Sequence, residues 1–221
     1  MVVSDSFCIN LDCLRQARCV NIRLFADLYR DEVVGMVQVD GANEDWDKRS
    51  RAVLGPVYDR KYNIPGQFER FISECMSAAK SGLSADSNGY PKCMGGARPW
   101  LSRGLNDSMA AIYSKPSFYA AVLAEDRNLE RSRDQGRTYR RSYGDLPLIA
   151  LISTKSSSNV SADDSEKFFR VGSELGGQLA LLSSRGILRP VPNAGHYIHH
   201  DRPDAVISAI REVWEQASVG R

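Results

Sequence analysis

Two short apolar runs stand far apart in the chain, at residues 33–40 (Val-Val-Gly-Met-Val-Gln-Val-Asp) and 146–153 (Leu-Pro-Leu-Ile-Ala-Leu-Ile-Ser). Neither alternates apolar with polar residues, so each reads as a strand buried on both faces. A strand of that kind needs helices above and below it, which points to a mainly parallel α/β sheet. The flanking stretches supply the helices. Residues 18–30 carry Val20, Leu24 and Leu28 at helical spacing, with Phe25 beside them. A second helix is predicted near 164–183. A third begins with Asp201 as its N-cap and Pro203 in its first turn, and places Val206, Ile207, Ile210, Val213 and Trp214 on one buried face. Residues 186–192 form a further strand candidate, weakened by Pro190 and Pro192.

Between the two runs the pattern loosens. Pro65, the polar stretch 81–89 and Gly95-Gly96 break residues 41–145 into short helices and loops. The expected organisation is a single domain over 1–221, with 41–145 inserted as a helical cap or lid at the carboxyl ends of the strands, where open α/β sheets bind ligands.

Composition narrows the function classes. A chain of 221 residues that is 43% hydrophobic and 25% charged can bury its own core without a structural metal. A net charge of +2 gives no general attraction to nucleic acid. The six arginines within 127–141 are interleaved with Glu130 and Asp134, which predicts a solvated helix face. No apolar run is long enough to cross a membrane, and the first twelve residues lack the basic start and apolar stretch of a secretory signal. The five cysteines, Cys8, Cys13, Cys19, Cys75 and Cys93, are odd in number and contain no CxxC, so free thiols in a reducing, cytoplasmic setting are expected. His196, His199 and His200 fall in a loop ahead of the Asp201 cap, and adjacent His199 and His200 cannot face one way on a strand, so no zinc site is expected.

The most specific signal lies near the end: Val-Pro-Asn-Ala-Gly-His196-Tyr-Ile-His-His-Asp201-Arg-Pro-Asp204. Together with the strand at 146–153, and with residues 21–40, this block resembles the α/β-hydrolase superfamily, in particular esterase- and lipase-like members with a helical cap. The resemblance covers about half of the chain. It implies an incomplete α/β-hydrolase-like sheet and hydrolysis of an ester or similar acyl bond. His196, on the last loop, would be the general base, and Gly195 would allow a tight turn before it. Asp40, at the end of the first strand, would be the acid that orients the imidazole; Asp163 or Asp164 is the alternative. No organic or metal cofactor is implied.

The nucleophile departs from the superfamily pattern. Aligned without gaps, its Gly-x-Ser-x-Gly elbow falls on Leu14, Arg15, Gln16, Ala17 and Arg18. A gapped reading makes Ser6 the nucleophile, and Cys13 or Cys19 are thiol substitutes. The early strands are also without counterpart, which leaves three strands with an open edge that invites self-association. The expectation is therefore a truncated, weakly active or inactive hydrolase acting on a small ester-like or apolar molecule, or else a non-catalytic binding protein built on the same fold. A third reading, a basic interaction domain centred on 127–141, would bind polyanions in a salt-sensitive way.

Overall fold

The structure is a computed structural model and describes residues 6–10, 17–41, 43–84, 89–94, 96–99, 101–155 and 160–218. It divides into two compact units, one formed by residues 1–58 with 129–221 and the other by residues 59–128.

The first unit is a parallel sheet with helices on both faces. Its strands are β1 (Ser6–Asn10), β2 (Val33–Val39), β3 (Leu148–Ser153) and β4 (Gly186–Val191), hydrogen-bonded in that order and all parallel. The described sheet therefore has four strands where three were expected. Helix α1 (Ala17–Leu28) connects β1 to β2, and α2 (Trp46–Leu54) follows β2. Helix α3 (Gln67–Lys80), α4 (Tyr90–Met94), α5 (Arg103–Tyr113) and α6 (Pro116–Arg127) make up the second unit. Helix α7 (Leu129–Tyr139) precedes β3, α8 (Ala162–Ala180) joins β3 to β4, and the short α9 (Ile198–Asp201) leads into α10 (Pro203–Ser218).

Side chains of β2 and β3 alternate between the two faces because successive residues of a strand point to opposite sides. Met36, Leu148 and Ala150 pack with Ala26 of α1 and with Leu179 and Ala180 of α8. Val37, Val39, Ile149 and Leu151 pack with Val206, Ala209 and Val213 of α10. Both faces are thus covered, as the uninterrupted apolar runs require. Pro190 is accommodated because β4 has only β3 as a described neighbour, so no second ladder needs its missing N–H.

Two expectations about the last helix are corrected. Ile207 and Trp214 are 49% and 56% exposed, and the buried stripe of α10 is Val206, Ala209 and Val213. Ala209, two residues beyond Ile207, rotates the buried face toward itself because a small side chain lets the helix approach the sheet closely. Asp201 does not cap that helix; it ends α9, and its Oδ2 accepts the Gly195 N–H at 2.7 Å.

The arginine-rich stretch is also corrected. Arg133 of α7 is buried and pairs with Asp47 at 2.7 Å and with Glu130. Arg137 pairs with Asp45 at 3.1 Å and Asp134 at 2.7 Å, and Arg140 with Glu44 at 3.0 Å. Glu44 also pairs with buried Arg23 of α1. Arg133, Arg137 and Arg140 therefore reach carboxylates of residues 44–47, and the buried Arg133 has its charge compensated there, while Arg127, Arg131 and Arg141 stay exposed as expected. Gly136 makes room for this: a Cβ there would lie 2.6 Å from Glu44 Oε1. Burial pushes the Glu44 carboxyl up, but the charge and hydrogen bonding of Arg23, with Arg140, outweigh it and hold it below the usual carboxylate range.

The second unit has its own core of Ile72, Cys75, Ala79, Leu83, Tyr119 and Leu123. Cys75 and Cys93 are joined by a disulfide between α3 and α4, and the adjacent Glu74 and Lys92 pair at 2.7 Å. The free-thiol expectation is therefore overturned for these two cysteines, and with it the thiol argument for a reducing compartment. Burial of Cys75 in the unit core brings its thiol against α4, a proximity that sequence spacing does not reveal. Cys8, Cys13 and Cys19 lie outside the described side chains. No described helix is long and apolar enough to cross a membrane.

Candidate active site

The carboxyl ends of the parallel strands bring together residues from three segments. Asp40 stands just past β2, with a φ of 47° in the left-handed region, which Asp tolerates better than bulky residues do. Its N–H continues the ladder by donating to Leu151 O at 2.8 Å. This sharp exit from the strand turns the side chain across the end of β3. There Asp40 Oδ1 accepts the Ser153 N–H at 2.8 Å, and Oδ2 accepts the Ser153 hydroxyl at 3.1 Å.

Oδ2 also lies 2.7 Å from His196 Nδ1. A carboxylate oxygen can only accept, so Nδ1 carries the proton of this contact, and in the neutral ring that tautomer leaves the lone pair on Nε2. The side chains are 18% exposed for Asp40 and 48% for His196, a carboxylate withdrawn from solvent behind an accessible imidazole. His196 follows β4 on a loop held from several sides. Ala194 O accepts the N–H groups of Thr154 and Lys155 at 3.1 and 2.9 Å, Thr154 Oγ1 donates to Val191 O at 3.1 Å, and Arg202 donates to Pro192 O at 3.0 Å. The left-handed residue of this loop is Asn193, with φ 63°, and not Gly195, so the turn expected at Gly195 is made two residues earlier. Gly195 instead serves as the amide donor to Asp201.

The other residues singled out by sequence take different places. Asp163 pairs with Lys167 at 2.5 Å, and Asp164 donates its N–H to the Ser161 hydroxyl at 3.2 Å, which sets both aspartates in the first turn of α8. Ser6 opens β1 opposite Val33, the first residue of β2. Asp40 lies seven residues beyond Val33, so Ser6 is at the opposite end of the sheet, roughly 20 Å away at the rise of a strand. Register thus removes Ser6 as a partner for His196. Leu14, Arg15, Gln16 and Cys13 lie outside the described residues, as do the side chains of Ala17, Arg18 and Cys19. Ser153 and Thr154 were not legible as site residues. The one signal for Ser153 is that it is the polar end of an otherwise apolar strand.

The sequence matches no protein-family model, and comparison with curated proteins gives no match either. Solved structures do match. The crystal structure of DbjA, a haloalkane dehalogenase, is 15% identical with a TM-score of 0.51, over 90% of this chain and 65% of that one. A laboratory-evolved variant of potato epoxide hydrolase is 14% identical with a TM-score of 0.50, over 89% and 67%. Both are α/β-hydrolase fold members. The chain has the α/β-hydrolase fold. It spans about two thirds of the length of these two structures. Identities of 14–15% carry the fold and not the chemistry, which the Asp40–His196 geometry must argue by itself.

Proposed function

We propose that this chain is a hydrolase of small ester-like molecules in which His196 is the general base and Asp40 orients it. The observation that carries the reading is the 2.7 Å contact between Asp40 Oδ2 and His196 Nδ1 at the carboxyl edge of a parallel sheet. A carboxylate that fixes the imidazole tautomer and stabilises the imidazolium is what acyl transfer asks of such a pair. His196 Nε2 takes the proton of an attacking thiol or of the hydrolytic water, a carboxylate nucleophile having none to give.

We propose the nucleophile from chain order, its residues read from the sequence alone. Strand β1 runs parallel to β2, with Asn10 opposite Gln38, so the chain leaves β1 on the side of Asp40. The residues that follow are Leu-Asp-Cys-Leu-Arg-Gln, 11–16, outside the described residues. Asp12 and Cys13 are the two side chains of this stretch able to form a covalent intermediate. Strand β1 has β2 as its one described neighbour, and pairing of its outer edge with another copy is the self-association expected, read by light scattering.

The experiment is turnover of p-nitrophenyl esters, with a bromoalkane and an epoxide in parallel because the two similar structures are a dehalogenase and an epoxide hydrolase. His196→Ala and Asp40→Asn should abolish any activity found, and so should one of Asp12→Asn and Cys13→Ser. Mass spectrometry of peptide 11–16 after a quenched reaction should locate the adduct. Turnover unchanged in His196→Ala and Asp40→Asn would sink the catalytic reading. A folded protein inert to all three probes would favour a ligand-binding role on the same fold.

A further inference from the structure

We propose that Ser153 is a positioning residue for the Asp40–His196 pair, a role that rests on the reading of that pair as a working unit. The sheet order puts β3 between β2, which delivers Asp40, and β4, which delivers His196. Acid and base must therefore meet across the end of an intervening strand, and Ser153 is the last residue of that strand. It addresses both oxygens of the carboxylate: its N–H donates to Oδ1 at 2.8 Å and its hydroxyl to Oδ2 at 3.1 Å. With Oδ1 tied to the backbone and Oδ2 gripped from one side, the carboxylate cannot rotate freely, and the remaining reach of Oδ2 is toward His196 Nδ1.

The same segment holds the other partner. Thr154 and Lys155, the next two residues, both donate their N–H groups to Ala194 O, two residues before His196, and Thr154 Oγ1 ties to Val191 O. Residues 153–155 thus fix the separation of acid and base from the middle, by two bonds to the acid and three to the histidine loop. Two of the five come from side chains. The Ser153 hydroxyl is the side-chain bond that reaches the carboxylate, and so it is the one a substitution can remove without disturbing the backbone.

The test uses proton NMR of the full chain, which needs no substrate. A hydrogen-bonded His196 Nδ1–H gives a strongly downfield resonance, assigned by its absence in His196→Gln. Ser153→Ala should lose that resonance while the melting temperature and the amide spectrum of the sheet stay close to wild type. Ser153→Thr, which keeps the hydroxyl, should retain it. A resonance in Ser153→Ala equal to wild type, or its loss in a folded Ser153→Thr, would overturn the proposal. Asp40→Asn separates the two ideas. If the wild type shows no such resonance, or if Asp40→Asn leaves it unchanged, the pair itself is not formed and both readings fall.

Discussion

Arg23 and Glu44 form an ion pair whose side chains are 3% and 2% exposed, tying helix α1 to the turn that follows Asp40. Removing one charge of a buried pair strands the other without solvent, at a cost of about 3–5 kcal/mol. Glu44→Gln should therefore lower unfolding free energy by about that much, read from urea denaturation, and Arg23→Met by less, because Arg140 still pairs with Glu44. The double variant should be less destabilised than the sum of the two. Additive losses would mean that the charges do not interact.

Asp27 of α1 is buried, and burial raises its pKa from 3.8 to about 6, against the opposing pull of Tyr143 and Arg23. A carboxyl whose folded pKa lies above its unfolded one binds more protons in the native state. Its contribution is therefore most favourable below about pH 4, declines through the window up to about pH 6, and is a constant penalty of a few kcal/mol above that. Asp27→Asn should gain stability relative to wild type at pH 7 and lose that gain by pH 4. Thermal melts at the two pH values check this; a gain that does not change with pH would show that Asp27 keeps an ordinary pKa.

The Cys75–Cys93 bond closes a loop over a sequence separation of 18. Cross-linking a loop of that size stabilises by about 3 kcal/mol on chain-entropy grounds. Cys93→Ser, or reductant, should lower the melting temperature of the oxidised protein measurably. Non-reducing peptide mapping comes first, and free Cys75 thiol in the purified native protein would refute the bond.

Along the sheet and α10, burial and not apolarity decides cost. Leu151 in β3 is 1% exposed and packs against α10, whereas Ile207 on α10 is 49% exposed. Leu151→Ala should cost about 2–5 kcal/mol through lost burial and a residual cavity. Ile207→Ser should stay within about 0.5 kcal/mol of wild type. Comparable losses for the two would mean that Ile207 is covered in solution.

Much of the frame was legible from residues 33–40 and 146–153, because a strand covered on both faces must be apolar throughout. Helical spacing marked α1, and α8 was expected between the last two strands, with boundaries that moved by one to three residues. It failed for α10. The apolar residues Val206, Ile207, Ile210, Val213 and Trp214 define two overlapping stripes, and only the packing of small Ala209 against the sheet selects one of them. It failed again for residues 127–141, since a charge pattern that balances along a helix says nothing of carboxylates arriving from the 43–47 turn.

Asp40 and His196 were each marked by position, one at a strand end and the other after a Gly in the last loop. Both roles came from the resemblance, with Asp163 or Asp164 left open as the acid, and local sequence by itself determined the buried strands at 33–40 and 146–153 and the helices beside them. Tertiary structure decided that these two, 156 residues apart, lie 2.7 Å from each other, that Ser153 stands between them, and that Ser6 begins at the far end. The reason is physical. Periodicity and burial are local properties that a window of residues expresses, while strand order and register are set by which surfaces pack, and those surfaces come from distant parts of the chain.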